Sequence, residues 1–171
     1  CTVTNSCNGA DSVGDDSCTA VGSCTGSVRV GSKSCLDVAD CAGAKGTIGD
    51  ESCIGENACT NLGANAVVGN KSCKSLQGNQ ACADAKGMIG DESCIGEAAC
   101  SDIGAAATVG NLSCLGFEAC LFTDGMIGSN SCIVDESCAR LEAGETVGDD
   151  CADPRVQGSC PANSAPTPAP G

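Results

Sequence analysis

Eighteen cysteines divide this chain of 171 residues into nine near-regular pairs. The pairs are Cys1/Cys7, Cys18/Cys24, Cys35/Cys41, Cys53/Cys59, Cys73/Cys82, Cys94/Cys100, Cys114/Cys120, Cys132/Cys138 and Cys151/Cys160. The first cysteine of each pair recurs every 17 to 21 residues. An internal period of this size is typical of stacked structural repeats, and an even, paired cysteine count indicates a disulfide framework.

Each repeat carries a short motif ahead of its first cysteine. An aliphatic-Gly dipeptide such as Ile48-Gly49 is followed by Asp, Asn or Ser, and a serine precedes most of the first cysteines. Glycine predicts a corner with positive φ, where Asp or Asn bonds its own backbone. No segment keeps a 3.6-residue period, which argues against helical repeats. We therefore predict an all-β fold, a disulfide-stapled parallel β-helix (β-solenoid) of about nine coils of 17–21 residues.

A longer repeat of two coils lies over the first. Residues 45–63 match residues 86–104 at 14 of 19 positions, so the duplicated unit is a coil pair of 41 residues. We predict a solenoid domain over residues 1–160. Residues 161–171 are rich in Pro, Ala, Ser and Thr and are predicted to be an extended linker or tail, because proline cannot join a ladder.

The composition limits the interior and the partners. There is no Trp or Tyr, and Phe117 and Phe122 are the only aromatic residues, which favours a thin core of small side chains. So much cysteine indicates an oxidising compartment, and we expect a secreted or cell-surface protein. The net charge of −14 argues against nucleic acid and anionic membranes as partners. No apolar run approaches the roughly 20 residues of a spanning helix, so we expect no membrane insertion.

The cysteines are expected to pair within each coil, first to second, because every coil carries its own pair. The alternative is a stacked thiolate array for soft metals. The chain has no histidine and no C-x2-C pair, so zinc-ribbon spacing is absent. We expect disulfides at all eighteen cysteines, with no metal and no cofactor.

Three other sets of residues are candidates for a surface role. Acidic side chains recur at the corners and could form a calcium ladder, although solvated corner residues are the default; they are Asp15, Asp16, Asp50, Glu51, Asp91, Glu92, Asp149 and Asp150. Asn70-Lys71-Ser72 and Asn111-Leu112-Ser113 are candidate N-glycosylation sequons, or simply corners in which Asn is favourable. An aliphatic column follows the first cysteines and either faces outward or, as we favour, kinks inward; it contains Leu36, Ile54, Ile95, Leu115 and Ile133, interrupted by Lys74.

We expect no enzymatic activity. Without histidine, Ser-His and Cys-His catalysis are unavailable. Only three arginines are present, and no two carboxylates stand out as a glycosidase pair.

The unit I-G-[DN]-x-S-C-[IL]-G-x-x-A-C, which recurs over most of residues 10–151, resembles repeats of secreted cysteine-rich proteins of algal cell surfaces. The design of short coils with a disulfide each is also similar to that of insect β-helical antifreeze proteins. Those proteins carry rows of Thr-x-Thr, whereas only half of the corresponding column here is Thr; it reads Thr47, Val67, Met88, Thr108, Met126 and Thr146.

These observations lead to three hypotheses. The first is a non-enzymatic extracellular structural module, a rigid rod that serves as a spacer or as a component of a cell-surface filament or matrix. Its partners would be other copies or other subunits, bound through the solenoid ends or a lateral face. The second is an ice-binding protein, and the third is a calcium- or carbohydrate-binding adhesin module.

Overall fold

The computed structural model describes residues 6–26, 28–75 and 80–155. Eight two-residue strands follow one another and form a single parallel sheet in chain order. They are β1 (Ser12–Val13), β2 (Arg29–Val30), β3 (Thr47–Ile48), β4 (Val67–Val68), β5 (Met88–Ile89), β6 (Thr108–Val109), β7 (Met126–Ile127) and β8 (Thr146–Val147). The residues described contain no helix. The predicted parallel β-solenoid is confirmed.

The number of coils is slightly lower than predicted. Eight strands are joined by seven turns of the solenoid, whereas nine cysteine pairs led us to expect about nine coils. Each strand precedes the cysteine pair of its own coil, so β1 comes before Cys18 and β8 before Cys151. The pair Cys1/Cys7 therefore contributes no strand among the residues described. Residues 161–171, the predicted tail, lie outside the described residues.

The strands are in exact register, so equivalent residues stack as columns. The second residue of each strand faces the interior; Ile48, Val68 and Ile89 are almost fully buried, while their preceding neighbours face solvent. Backbone hydrogen bonds of 2.8 Å join successive corners, as from the Gly49 amide to the Val68 carbonyl. Because every coil is paired with the next one, the short strands gain stability that an isolated two-residue strand would lack.

The interior alternates large and small side chains along the rod. Ala44 stacks on Leu62, which stacks on Ala85, which stacks on Ile103, and backbone hydrogen bonds join these positions coil by coil. All four side chains are buried. Alternating volumes fill the space between coils without aromatic residues. The large residue belongs to the coil with the long linker, which explains why the sequence repeats in pairs of coils.

The corner glycines have a different role from the predicted one. Positive φ was expected at the aliphatic-Gly corners, but Gly31, Gly49 and Gly69 do not have it. They are required because adjacent coils approach too closely for a side chain. A Cβ at Gly49 would lie 2.8 Å from the Asn70 nitrogen and the carbonyl carbon of Gly69. The column of corner glycines therefore sets the spacing between coils.

The positive φ angles lie mainly on residues other than glycine. In the coil that follows β3 they occur at Glu51, Cys53, Asn57, Cys59 and Asn61. All fourteen cysteines of the seven described disulfides have φ between 54° and 62°. The left-handed conformation costs roughly 1–2 kcal/mol per L-residue. The disulfide and the hydrogen bonds of each coil must therefore offset the conformational free energy that these left-handed residues cost.

The aliphatic column after the first cysteines is not part of the core, so the favoured inward kink is wrong. Ile54, Lys74 and Ile95 form a parallel column of bridges and are all half-buried. Ile133 is exposed. The left-handed turn at the preceding cysteine directs the chain along the edge of the coil, so these side chains lie against the rod and not inside it.

A ladder of buried serines runs along the corner from coil to coil. The hydroxyl of Ser52 donates to the Gly69 carbonyl at 2.7 Å and accepts from the Ser72 amide at 3.1 Å. The same pair of bonds recurs at Ser72 and Ser93. These hydroxyls pair backbone groups of the corner that the strands do not reach, and buried groups of this kind are costly when left unpaired.

Candidate functional site

The interior of the rod is a stack of disulfides. Seven lie within single coils and join the first cysteine of a pair to the second; they are Cys18–Cys24, Cys35–Cys41, Cys53–Cys59, Cys73–Cys82, Cys94–Cys100, Cys114–Cys120 and Cys132–Cys138. Their Cα–Cα distances of 5.6 to 5.9 Å are normal for disulfides. Cys7 and Cys151 are also disulfide-bonded, whereas Cys1 and Cys160 lie outside the described residues. No cysteine in the described ranges is free.

Neighbouring disulfides bring sulfur atoms close to one another. Cys53, Cys59 and Cys73 form one of three groups in which the sulfurs lie within 4.8 Å. Soft metals bind the thiolate form of cysteine, and each of these sulfurs is part of a disulfide. In the oxidised protein this stack is therefore structural, and the sulfurs are fully buried.

The corner column of Asp and Asn side chains forms a second ladder on the surface. The Asp50 Oδ1 accepts from the Ser32 amide at 2.7 Å, and the Asn70 Oδ1 accepts from the Asp50 amide at 2.9 Å. Asp91 and Asn111 repeat this bond at 2.7 and 2.8 Å. Carboxylates stacked about 5 Å apart repel one another, and the alternation of Asp with neutral Asn separates them.

The residues that directly follow the corner Asp or Asn in the sequence form a neighbouring column, and their charge alternates from coil to coil. Glu51, Lys71 and Glu92 occupy it in successive coils, and the Lys71 ammonium lies 3.5 Å from the Glu92 carboxylate. Both side chains are about half exposed, so this ion pair contributes little to stability. Among residues 6–26, 28–75 and 80–155, the groups of close metal-ligating atoms consist of cysteines, and no three carboxylates come together. The corner acids predicted as a calcium ladder are therefore spread along the rod.

The two sequon asparagines occupy equivalent places in the corner column. Asn70 and Asn111 are exposed, and both use Oδ1 for the corner hydrogen bond. The serines of the two sequons, Ser72 and Ser113, are fully buried in the serine ladder. The two positions are separated by two coils, or about 10 Å at the usual strand spacing.

The outward residues of the strands form one column along the sheet face. It begins at Ser12 and Arg29 and continues through three Thr, one Val and two Met residues. Met88 and Met126 are 53 % and 50 % exposed and project beyond the threonines. This face is therefore regular in spacing but uneven in height and chemistry.

Asp40 is the one fully buried carboxylate among the residues described, and no motif in the sequence marks it as functional. Its Oδ2 accepts from the Asp37 amide at 2.8 Å and its Oδ1 from the Ala58 amide at 3.1 Å. Burial raises the pKa of Asp40 to about 8, and the nearby Asp37 carboxylate adds to the rise. Equivalent positions in other coils hold Ser or Ala, as at Ser23 and Ala58, which shows that no coil geometry requires a carboxylate here.

We expect Asp40→Ser to remove a pH-dependent loss of stability. The pKa of Asp40 is higher in the folded state than its ordinary 3.8, so the folded protein binds more protons between about pH 4 and pH 8 and is destabilised as pH rises through that window. The full rise in pKa corresponds to about 6 kcal/mol at alkaline pH. Urea unfolding of oxidised wild type and D40S at pH 5 and pH 8.5 measures the difference.

The matched control for this prediction is Asp102→Asn, which alters an exposed carboxylate. Asp102 has positive φ, a conformation that Asn tolerates, so this variant removes one carboxylate without disturbing the backbone, and the loss of stability that we assign to Asp40 should remain. Equal loss of stability between pH 5 and pH 8.5 in wild type and D40S would contradict the assignment of the effect to Asp40.

In the ranges that the structure describes, no helix has the length and apolarity that crossing a membrane requires.

The architecture and its chemistry define a class, the disulfide-stapled parallel β-solenoid with one staple per coil. The chain matches the family described as Domain of unknown function (DUF7640) over residues 1–77 and again over residues 63–165, and it belongs to that family. Neither the curated proteins nor the solved structures gave a match. The resemblances to algal surface repeats and to insect antifreeze proteins stay predictions.

Proposed function

We propose that this protein is a non-enzymatic extracellular structural module, a stiff rod that acts as a spacer or as a component of a cell-surface filament or matrix. The observation that carries the proposal is the uniform stapling, since each of seven consecutive coils contains its own buried disulfide. Small-molecule sites are usually concave, mostly apolar pockets with a few well-placed polar groups. In this chain the most prominent feature is instead the disulfide that recurs in every described coil from Cys18 to Cys138.

The spacing along the rod supports a mechanical role. Eight strands at about 4.8 Å give a sheet roughly 34 Å long, and each added pair of coils lengthens it by about 10 Å. Three ladders, formed by backbone groups, by serine hydroxyls and by corner Asp or Asn, hold successive coils together. The length of such a rod is set by the number of its coils. A spacer requires a defined length of this kind.

The alternatives receive less support from the same surfaces. An ice-binding face needs a flat regular lattice, and Arg29, Met88 and Met126 interrupt the threonine column. A calcium-dependent adhesin needs converging oxygen ligands, and the corner carboxylates alternate with Asn and Lys. The partners we propose are other copies or other subunits, joined at the solenoid ends or along a lateral face.

An in-register deletion tests the spacer role. Removing residues 45–85 deletes one coil pair of 41 residues and joins Ala44 directly to Lys86, the counterpart of Lys45. The deletion removes two complete disulfides and leaves every other pair intact. Negative-stain electron microscopy of the oxidised full chain and of the deletion variant should show straight rods that differ in length by about 10 Å.

The control deletion removes residues 45–64, about one coil, which breaks the alternation of large and small interior residues. We expect that variant to be less stable although it is longer than the first. Compact particles of equal length for wild type and the 41-residue deletion would contradict the proposal. Thermal hysteresis at micromolar protein would favour ice binding instead, and a calcium-dependent rise in melting temperature would favour the adhesin.

A further inference from the structure

The two sequons are placed so that a glycan is compatible with the fold. The corner hydrogen bond of Asn70 uses Oδ1, which accepts from the Asp50 amide. An N-linked glycan is attached to the other atom of the amide, Nδ2. Asn70 is exposed, so a glycan there would project into solvent without breaking the ladder. Asn111 has the same geometry, with its Oδ1 bonded to the Asp91 amide.

The serines of the sequons are placed in the opposite way. N-glycosylation depends on the serine or threonine two residues after the asparagine. The Ser72 hydroxyl is fully buried, donates to the Gly90 carbonyl at 2.7 Å and accepts from the Ser93 amide at 3.1 Å. Ser113 is equally buried and bonds Gly128 and Ser131. Once the coils have formed, neither hydroxyl is accessible to an enzyme.

The backbone of each sequon is also fixed in the fold. The middle residues, Lys71 and Leu112, have φ of 57° and 55°, in the left-handed region. Each serine hydroxyl oxygen also lies close to the carbonyl oxygen of its own asparagine, at 3.1 Å for Ser72 and 3.0 Å for Ser113, while its one proton is donated to the next coil. The tripeptide is therefore a closed corner and cannot extend into the cleft of a transferase without opening its coil.

We infer that Asn70 and Asn111 are N-glycosylation sites and that they are modified before their coils close. The donor is a lipid-pyrophosphate-linked oligosaccharide. The Nδ2 of the asparagine loses a proton to a base of the transferase and bonds to C1 of the first sugar, while the bond from C1 to the pyrophosphate oxygen breaks and the lipid pyrophosphate leaves. The two glycans then project from one edge of the rod, in alternate coils about 10 Å apart. This inference is independent of the spacer role and requires only passage through a compartment that holds the transferase.

The site assignment is tested by translation in the presence of eukaryotic microsomes, with intact mass measured before and after peptide-N-glycosidase. Wild type should gain two glycans, N70D and N111D one each, and the double variant none. Aspartate keeps the corner oxygen, as Asp50 and Asp91 show, so these variants retain the ladder. D50N creates a third acceptor triplet at residues 50–52 in an equivalent corner and should add a third glycan. A wild-type chain with no glycan, while a control secreted protein is modified, would overturn the assignment.

Whether glycan transfer precedes the closure of the coils is tested with purified unglycosylated protein. Oxidised folded chain and reduced unfolded chain are each incubated with the solubilised transferase and its lipid-linked donor. We expect at least tenfold more glycan on the unfolded chain than on the folded one. Equal modification of both would overturn the requirement that transfer comes first. Failure of both, with a short acceptor peptide modified in the same reaction, would overturn the sites themselves.

Discussion

Complete reduction of the disulfides is expected to unfold the rod. Closing a loop of about seven residues stabilises a protein by roughly 2.4 kcal/mol through the entropy of the unfolded chain, and one of the seven described loops is slightly longer, so together they contribute up to about 17 kcal/mol. That is as large as the whole stability of an ordinary domain. The reduced chain would also have to hold fourteen cysteines in the left-handed conformation without their staples. Far-UV circular dichroism and resistance to protease, measured on reduced and alkylated protein, report the loss.

A single staple provides the graded comparison. Replacing both Cys53 and Cys59 by alanine removes one disulfide and leaves no free thiol, so only the coil after β3 is affected. We expect a loss of about 2 to 5 kcal/mol in urea unfolding, with the remaining coils still folded. Native circular dichroism and protease resistance in the fully reduced, alkylated chain would contradict a need for the disulfides and show that the hydrogen-bond ladders alone hold the fold.

Gly69→Ala is expected to be among the most destabilising single substitutions in the chain. Its Cβ would lie 2.6 Å from the carbonyl carbon of Gly90 and 2.7 Å from the Asp91 nitrogen. Both are backbone atoms, so the added methyl group must force two coils apart and stretch the ladder at that corner. We expect a loss of about 3 kcal/mol. Urea unfolding of the oxidised protein measures it, and amide hydrogen exchange locates the opening between β4 and β5.

Gly22→Ala separates crowding from backbone strain. Gly22 has φ of 72°, but no atom lies within 4 Å of the position that its Cβ would take. Alanine there pays only the cost of the left-handed conformation, roughly 1–2 kcal/mol. If G69A were as stable as wild type, or lost no more stability than G22A, close packing of the corner would not be what requires glycine at position 69.

The repeat architecture was predictable because the cysteine pairs and the corner motif recur at nearly constant intervals along the sequence. The spacing of the cysteine pairs and the corner motif predicted the solenoid, whereas the outward orientation of Val67 and Met88 is seen only in the structure. The 41-residue duplication also anticipated the alternation of coils. Its physical basis, Leu62 packing against Ala44 and Ala85, required knowledge of which linker residues turn inward.

Other features depend on three-dimensional contacts that no local pattern reports. Positive φ is normally predicted from Gly, Asn or Asp, whereas here Lys71, Leu112 and the cysteines adopt it. The glycines that looked like turn residues are instead sites of close contact between coils. Asp40 resembled an ordinary acidic residue in the sequence. Its proximity to a cysteine, at a position that is small in other coils, was the signal that could have marked it as buried.

The disulfides have one further property: each lies within a coil, and none of the seven joins one coil to another. Under tension along the rod, neighbouring coils are therefore held only by hydrogen bonds and side-chain packing, and they can peel apart one at a time. Each released coil extends by the residues outside its short covalent loop and stops there. The rod would fail as a series of small, recoverable steps, absorbing mechanical work while its covalent loops stay intact.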